Sequence, residues 1–171
     1  MRVLVYGFGP YRNFQSNITE SIVRKLPRRH RLHRIIFPAE FNKRQFLAAI
    51  QKYKPDVVLG LGQCSRGRRL RVETQAVNRR RHYKGERARP IVPSGALRLR
   101  THLRFELGPQ ARLSQNAGDY VCNYSMYVVL DFVKRRRAPI RFGFVHVPRG
   151  YDAARAVRLL AKAIGRITQE I

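Results

Sequence analysis

The chain alternates short apolar runs with longer stretches whose apolar residues recur every three or four positions. "RVLVYGF", residues 2–8, is rich in β-branched and aromatic side chains and reads as a buried strand ending at a glycine-rich turn. Ser16 or Asn17 can cap a following helix whose Ile18, Ile22 and Leu26 share one face, and Pro27 stops it. "LHRIIFP" predicts a second strand. "AEFNKRQFLAAIQKY" predicts a helix with Phe46, Leu47 and Ile50 turned inward, ended near Pro55. "DVVLGLG" predicts a third buried strand, and the strict alternation of "LRVETQAV" a fourth. Residues 79–109 are mostly polar and contain Pro90, Pro93 and Pro109, so a long irregular segment is expected there. A helix over roughly 119–136, a strand at "IRFGFVHVP" and a last helix over roughly 152–168, with Ala156, Leu160 and Ile164 inward, complete the pattern.

This order of strands and helices predicts an α/β fold: a three-layer α/β/α sandwich with a mostly parallel twisted central sheet, residues 1–171 forming a single domain. In such sheets ligands gather outside the C-terminal strand ends. Those ends are "GFGPYRNF" after the first strand, "GQCSRG" after the third and "HVPRG" after the last.

Composition narrows the class. With 171 residues, 44% of them hydrophobic, the chain can bury one core. No apolar run approaches a membrane span, and the start lacks the features of a secretory signal. Two cysteines, Cys64 and Cys122, are too few for a disulfide framework or a structural zinc site. The expectation is a cytoplasmic protein with reduced thiols and with neither metal nor cofactor. The charge is less ordinary: 36 Lys+Arg against 10 Asp+Glu give a formal net charge of +26. Such an excess favours polyanions, nucleic acid among them. The basic runs "RKLPRRHRLHR", "NRRRHYKGERARP" and "VKRRRAP" fall between apolar segments, however, and no nucleic-acid motif accompanies them. A solvated basic surface is the simpler reading.

The first turn contains G-x-G but has Arg12 where a dinucleotide fingerprint needs its third glycine, and no P-loop Lys-Ser/Thr follows. Phe8, Tyr11 and Phe14 instead suggest an aromatic-lined loop suited to a flat, largely uncharged group. His30 and His33, three apart, would point to opposite faces of a strand and could not share an ion. His82 and His102 have no evident partner.

Cys122 lies in "NAGDYVCNYSMYVVLDF", where the helix is expected to begin near Gly118 or Asp119. Unpaired N–H groups and the helix dipole would stabilise a thiolate in that first turn and receive a developing oxyanion. By itself the residue reads better as a small core side chain beside Val121 and Met126. Its company argues otherwise. His146 in "FGFVHVP" and Glu73 in "LRVETQAV" are lone polar residues in apolar strands, and burying either is costly without a partner. Cys, His and Glu together make a nucleophile, a base and an orienting group. Cys64, expected in a loop after the third strand, is the rival nucleophile, without a helix start or an obvious base.

These residues sit in segments that resemble pyroglutamyl peptidase I, the pyrrolidone-carboxylate peptidase family of cysteine peptidases. "VLVYGFGPYRNFQSN" is similar to the family's opening strand and Gly-Phe-x-Pro-Phe loop. "PDVVLGLGQCSRGRRLRVETQAVN" resembles its Leu-Gly-Gln and Arg-x-Glu-x-x-Ala-x-Asn pattern. "NAGDYVCNYSMY" resembles its nucleophile segment, and "GFVHVP" the segment with the catalytic histidine. The Cys-to-His separation of 24 residues agrees with the family pattern. The resemblance implies Glu73, Cys122 and His146 as the triad, Phe8 and Tyr11 flanking a lactam ring, and Gln63 close to it. It implies peptides with a blocked, pyroglutamyl N-terminus as substrates, and homo-oligomers are common in the family. The chain departs from the pattern at Tyr11, where the family has Phe, and at Arg12-Asn13, where it has Gly-Gly. The stretch between Glu73 and Cys122 is shorter and lacks the family's Asp-Ala-Arg-Ile-Pro-Asp-Asn. Tyr83 falls at that arginine's position, with Arg80, Arg81 and Arg87 as candidate substitutes. Two rival readings stay open: a related amidase or acyl hydrolase with another substrate, and a basic nucleic-acid-binding protein on the same fold.

Overall fold

The computed structural model describes residues 1–103 and 106–169. Its first half alternates regularly: β1 (Val3–Phe8), α1 (Ile18–Lys25), β2 (Leu32–Phe37), α2 (Lys43–Tyr53) and β3 (Val57–Cys64). Then come the short strands β4 (Leu70–Glu73), β5 (Gln75–Val77), β6 (Arg98–Arg100) and β7 (Ala111–Ser114). The chain closes with α3 (Val121–Arg136), β8 (Arg141–Pro148) and α4 (Ala153–Gln169). The main sheet has six strands in the order β2-β1-β3-β8-β4-β7, while β5 and β6 pair in a separate two-stranded ribbon. All pairings in the main sheet are parallel except β4 with β8.

Alternation along the strands sorts side chains onto two faces. Val3, Val5, Val57, Leu59, Leu61, Val145 and Val147 point to one core, which α1 and α4 cover with Ile22, Val23, Ala156, Leu160 and Ile164. Leu4, Tyr6, Phe8, Val58, Phe142 and Phe144 point to the other, covered by α2 and α3. The expected α/β/α layering is therefore the observed one. Helix α3 is the most enclosed, with Asn123, Ser125 and Asp131 buried among its apolar residues.

Local differences from expectation have local causes. Helix α2 begins at Lys43 rather than Ala39, because Asn42 caps it through Oδ1 to the Arg44 N–H at 3.0 Å. Helix α3 begins at Val121, after Gly118 at a φ of +78° has turned the chain. The alternating run "LRVETQAV" is not one strand: Thr74 breaks it, β4 joins the main sheet and β5 leaves it to pair with β6. The segment over 79–109 has long irregular stretches, but it also contains β6 and an Arg80–Arg89 bridge. Its residues 104 and 105 lie outside the described residues. Asn78 organises its 91–95 turn, accepting from the Ile91 and Val92 N–H groups and donating to the Val92 and Gly95 carbonyls. No helix among the described residues is long and apolar enough to cross a membrane.

Two glycines of β3 set how closely the second face packs. A Cβ on Gly60 would press on the Phe144 ring edge and lie 2.6 Å from Tyr6 Cζ, and both rings are fully buried. Gly60→Ala should therefore destabilise the protein by about 1–3 kcal/mol, the usual cost of overpacking. The check is the urea unfolding midpoint, which should fall while the slope stays unchanged.

Candidate active site

Strand order brings distant residues together. β8 runs between β3 and β4, with His146 opposite Gly62 on one side and Arg71 on the other. Two residues along β4, on the same face as Arg71, stands Glu73. Its Oε1 lies 2.8 Å from His146 Nδ1, with the carboxylate fully buried and the imidazole nearly so. The imidazole also packs edge-on to Phe144, ring centroids 5.1 Å apart. With Nδ1 engaged by Glu73, Nε2 is the ring nitrogen left without a partner among the described residues.

Burial works to raise the Glu73 pKa, but the hydrogen bond and charge of His146 override it. Ser114 and Arg71 add to them, so the carboxyl is held below its ordinary value. The Arg71 Nε lies 3.8 Å from Glu73 Oε1. It is buried without a hydrogen-bond partner, as is Glu73 Oε2.

Cys122 occupies the second position of α3. Tyr120 at the N-cap makes no side-chain cap, so the first N–H groups of the helix remain free for an incoming anion. Behind Cys122, Ser125 Oγ donates to the Cys122 carbonyl at 2.8 Å and contacts Tyr6 Oη at 2.9 Å, tying the turn to β1. Asn123, fully buried, accepts from Val77 N–H and donates to the Val77 and Arg79 carbonyls, tying it to β5. Gly62 lacks the side chain that would fill the thiol's place: a Cβ there would fall 2.6 Å from Cys122 Sγ.

The expected ionised thiol is not what this setting produces. Burial pushes the Cys122 thiol up to about 12, helped by neighbouring Cys64 and Glu73; Arg71 and a backbone hydrogen bond oppose it only in part. Desolvation thus outweighs the helix terminus. Among the described residues no hydrogen bond joins Cys122 Sγ to His146; the two are brought together as walls of one cavity.

That cavity, about 600 Å³, opens at the C-terminal strand ends. Buried Phe8, Asn17, Gln63, Cys64 and His146 form its depth, while Arg12, Tyr83 and Lys84 line it from exposed positions. Phe8, Tyr11 and Gln63 all line it. Tyr11 stacks near Phe14, centroids 5.1 Å apart, and near Tyr120 at 6.1 Å. Gln63 Oε1 accepts from the Ile18 N–H at 2.9 Å, which anchors α1 to β3, and leaves Nε2 buried and unpartnered. Asn17 holds the opening loop from within, its Nδ2 donating to the Gly9 carbonyl and its Oδ1 accepting from Thr19.

Several sequence readings are corrected here. Cys64 is not a loop residue: it ends β3, is buried, faces the same cavity and donates to the Arg66 carbonyl at 3.5 Å. Burial raises its thiol too. His82 does have partners, since it pairs with Glu86 and packs edge-on to Phe41. Of the arginine candidates, Arg81 lines the cavity together with Tyr83, whereas Arg80 lies over Phe41. Asn123 and Arg71 escaped sequence reading. The signal for Asn123 was a polar residue in the first turn of an otherwise apolar helix.

A model of the pyroglutamyl peptidase family matches residues 1–83 and 96–154, a span that contains Glu73, Cys122 and His146. The chain belongs to the pyroglutamyl peptidase family. Among its relatives, the pyrrolidone-carboxylate peptidase 1 of Saccharolobus solfataricus is 29% identical over 168 residues, covering 86% of this chain and 79% of the relative. The enzyme of Brevibacillus brevis is 30% identical over 166 residues, covering 85% and 77%. The fold agrees with solved members. Pyroglutamyl peptidase I of Bacillus amyloliquefaciens superposes with a TM-score of 0.85 at 21% identity, over 95% of this chain and 94% of that one. A variant pyrrolidone carboxyl peptidase from the hyperthermophile Pyrococcus furiosus superposes with a TM-score of 0.86 at 24% identity, over 100% of both chains.

Two expectations follow for this member of the family. A thiol held protonated should be alkylated by iodoacetamide at a rate that rises roughly tenfold per pH unit from about pH 7 to about pH 10. A plateau near neutrality, read by mass spectrometry of the Cys122 peptide, would contradict the desolvated thiol. For Glu73, the folded carboxyl lies below the unfolded value of about 4.3. The stability it contributes is then complete above that pH and is lost as pH falls through the folded value. Urea titrations from about pH 7 to about pH 3 should show a steeper acid loss for the native protein than for Glu73→Gln.

Proposed function

We propose that the protein is a cysteine exopeptidase that hydrolyses the amide bond following an N-terminal pyroglutamate, through an acyl-enzyme. The observation that carries this reading is the buried Glu73–His146 pair, whose imidazole lines the same cavity as Cys122 at the start of α3. Family membership supplies the reaction class.

The lactam ring, flat and uncharged, is held between Phe8 and Tyr11, and the unpartnered Gln63 Nε2 donates to its carbonyl. Cys122 Sγ attacks the scissile carbonyl while His146 Nε2 takes the thiol proton. Because the thiol starts neutral, proton transfer accompanies attack rather than preceding it. The resulting imidazolium is stabilised by Glu73, and the oxyanion is received by the free N–H groups of the first turn of α3. Collapse breaks the C–N bond, and the imidazolium gives its proton to the leaving amine. Water then attacks the thioester with His146 again as base, releasing pyroglutamic acid and restoring the thiol.

Release of a fluorescent amine from a pyroglutamyl amide tests this. Cys122→Ser and His146→Ala should each lower kcat/KM by about a thousandfold or more, and Glu73→Gln by about a hundredfold or more. Cys64→Ser should keep the activity within about threefold. Full activity in Cys122→Ser would end the assignment. A panel of other blocked N-terminal amides separates this reading from the amidase alternative, which predicts that some other acyl group is turned over faster.

A further inference from the structure

We propose that the rim of the cavity selects pyroglutamyl peptides whose residues just after the scissile bond are acidic, an inference that rests on the function proposed above. The blocked N-terminus fills the enclosed depth, so every downstream residue of the substrate must lie at the open rim. That rim is cationic. Arg12, Arg81 and Lys84 line the cavity, and the one aspartate or glutamate lining it, among the described residues, is Asp119. Asp119 is already engaged, paired with Arg81 and lying 3.7 Å from Arg79 Nε. Glu86, close in sequence to Lys84, is engaged as well, holding His82.

Arg12 shows the strongest commitment. It sits at a φ of +52°, in the left-handed region that favours glycine. Its guanidinium lies 4.2 Å from the centroid of the Tyr120 ring and donates to the His82 carbonyl at 2.8 Å. The cation is thereby fixed at the mouth, beside the residue that caps the nucleophile's helix, with further N–H groups free for a carboxylate. Lys84 is exposed and, among the described residues, has no ion-pair partner. Arg149, which follows β8, adds a third exposed cation over the Phe14 ring at 4.9 Å. A cleft with one sign of charge on its walls concentrates ligands of the other sign.

The test is kcat/KM for pyroglutamyl-Glu, pyroglutamyl-Ala and pyroglutamyl-Lys amides at about 25 mM and about 0.5 M salt. At low salt the Glu substrate should exceed the Lys substrate by about tenfold, mostly through KM, and the ratio should shrink to about twofold at high salt. Lys84→Glu, a surface change, should cut the low-salt ratio by about threefold, and Arg12→Gly, which suits the backbone, should do the same. Turnover of all three amides at equal kcat/KM, or a ratio indifferent to salt, would overturn the acidic selection while leaving the pyroglutamyl reading intact. Turnover of none would overturn both.

Discussion

The contact between Glu73 and His146 is the constraint around which the site is built. Both side chains are withdrawn from water, and neither would be tolerated there alone. Their meeting depends on β8 lying between β3 and β4, and on the antiparallel register that sets Arg71 opposite His146. At a register shifted by one residue, the carboxylate would face the largely aliphatic core under α1 and α4. The antiparallel pairing of β4 with β8 thus brings Glu73 to His146.

The thiol is held by a different principle. Gly60 and Gly62 let α3 and the aromatic rings come close to β3, so that the sulfur rests almost against the sheet backbone. That closeness removes water, and removal of water outweighs the favourable field at the start of α3. The sulfur is then held as a thiol, in the same cavity as His146. Burial and hydrogen bonding divide the work: burial raises the Cys122 thiol, while the hydrogen bond with His146 holds the Glu73 carboxyl down.

Much of this was legible in the chain, and what was not has identifiable physics. Runs such as "VLVYGF" carry both faces of a strand, so the layering followed from alternation alone. Cys122, His146 and Glu73 stood out because each occupied a place where an apolar residue costs less, and the structure puts Glu73 against His146 and all but Glu73 on one cavity wall. The break at Thr74 could not be seen, since a strand that changes sheets keeps its alternation. β6 and β7 were hidden by brevity and by arginines, Arg98, Arg100 and Arg112, which mark the exposed positions of edge strands. The ionisation of Cys122 was misjudged because the helix terminus is a local feature, whereas desolvation is set by β3, far away in sequence. The same holds for Arg12, whose partners Tyr120 and His82 are supplied only by the fold.

The position of β8 has a consequence for the life of the chain before it is complete. Made from the N-terminus, the polypeptide presents β1, β2 and β3 first, then β4 and β7, as two groups of strands with no shared edge. Only residues 141–148, made after them, fill the gap between the two groups and bring His146 to Glu73. Until that strand is added, a growing chain carries Cys122 and Glu73 without His146, and the two groups of strands have no partner to join them.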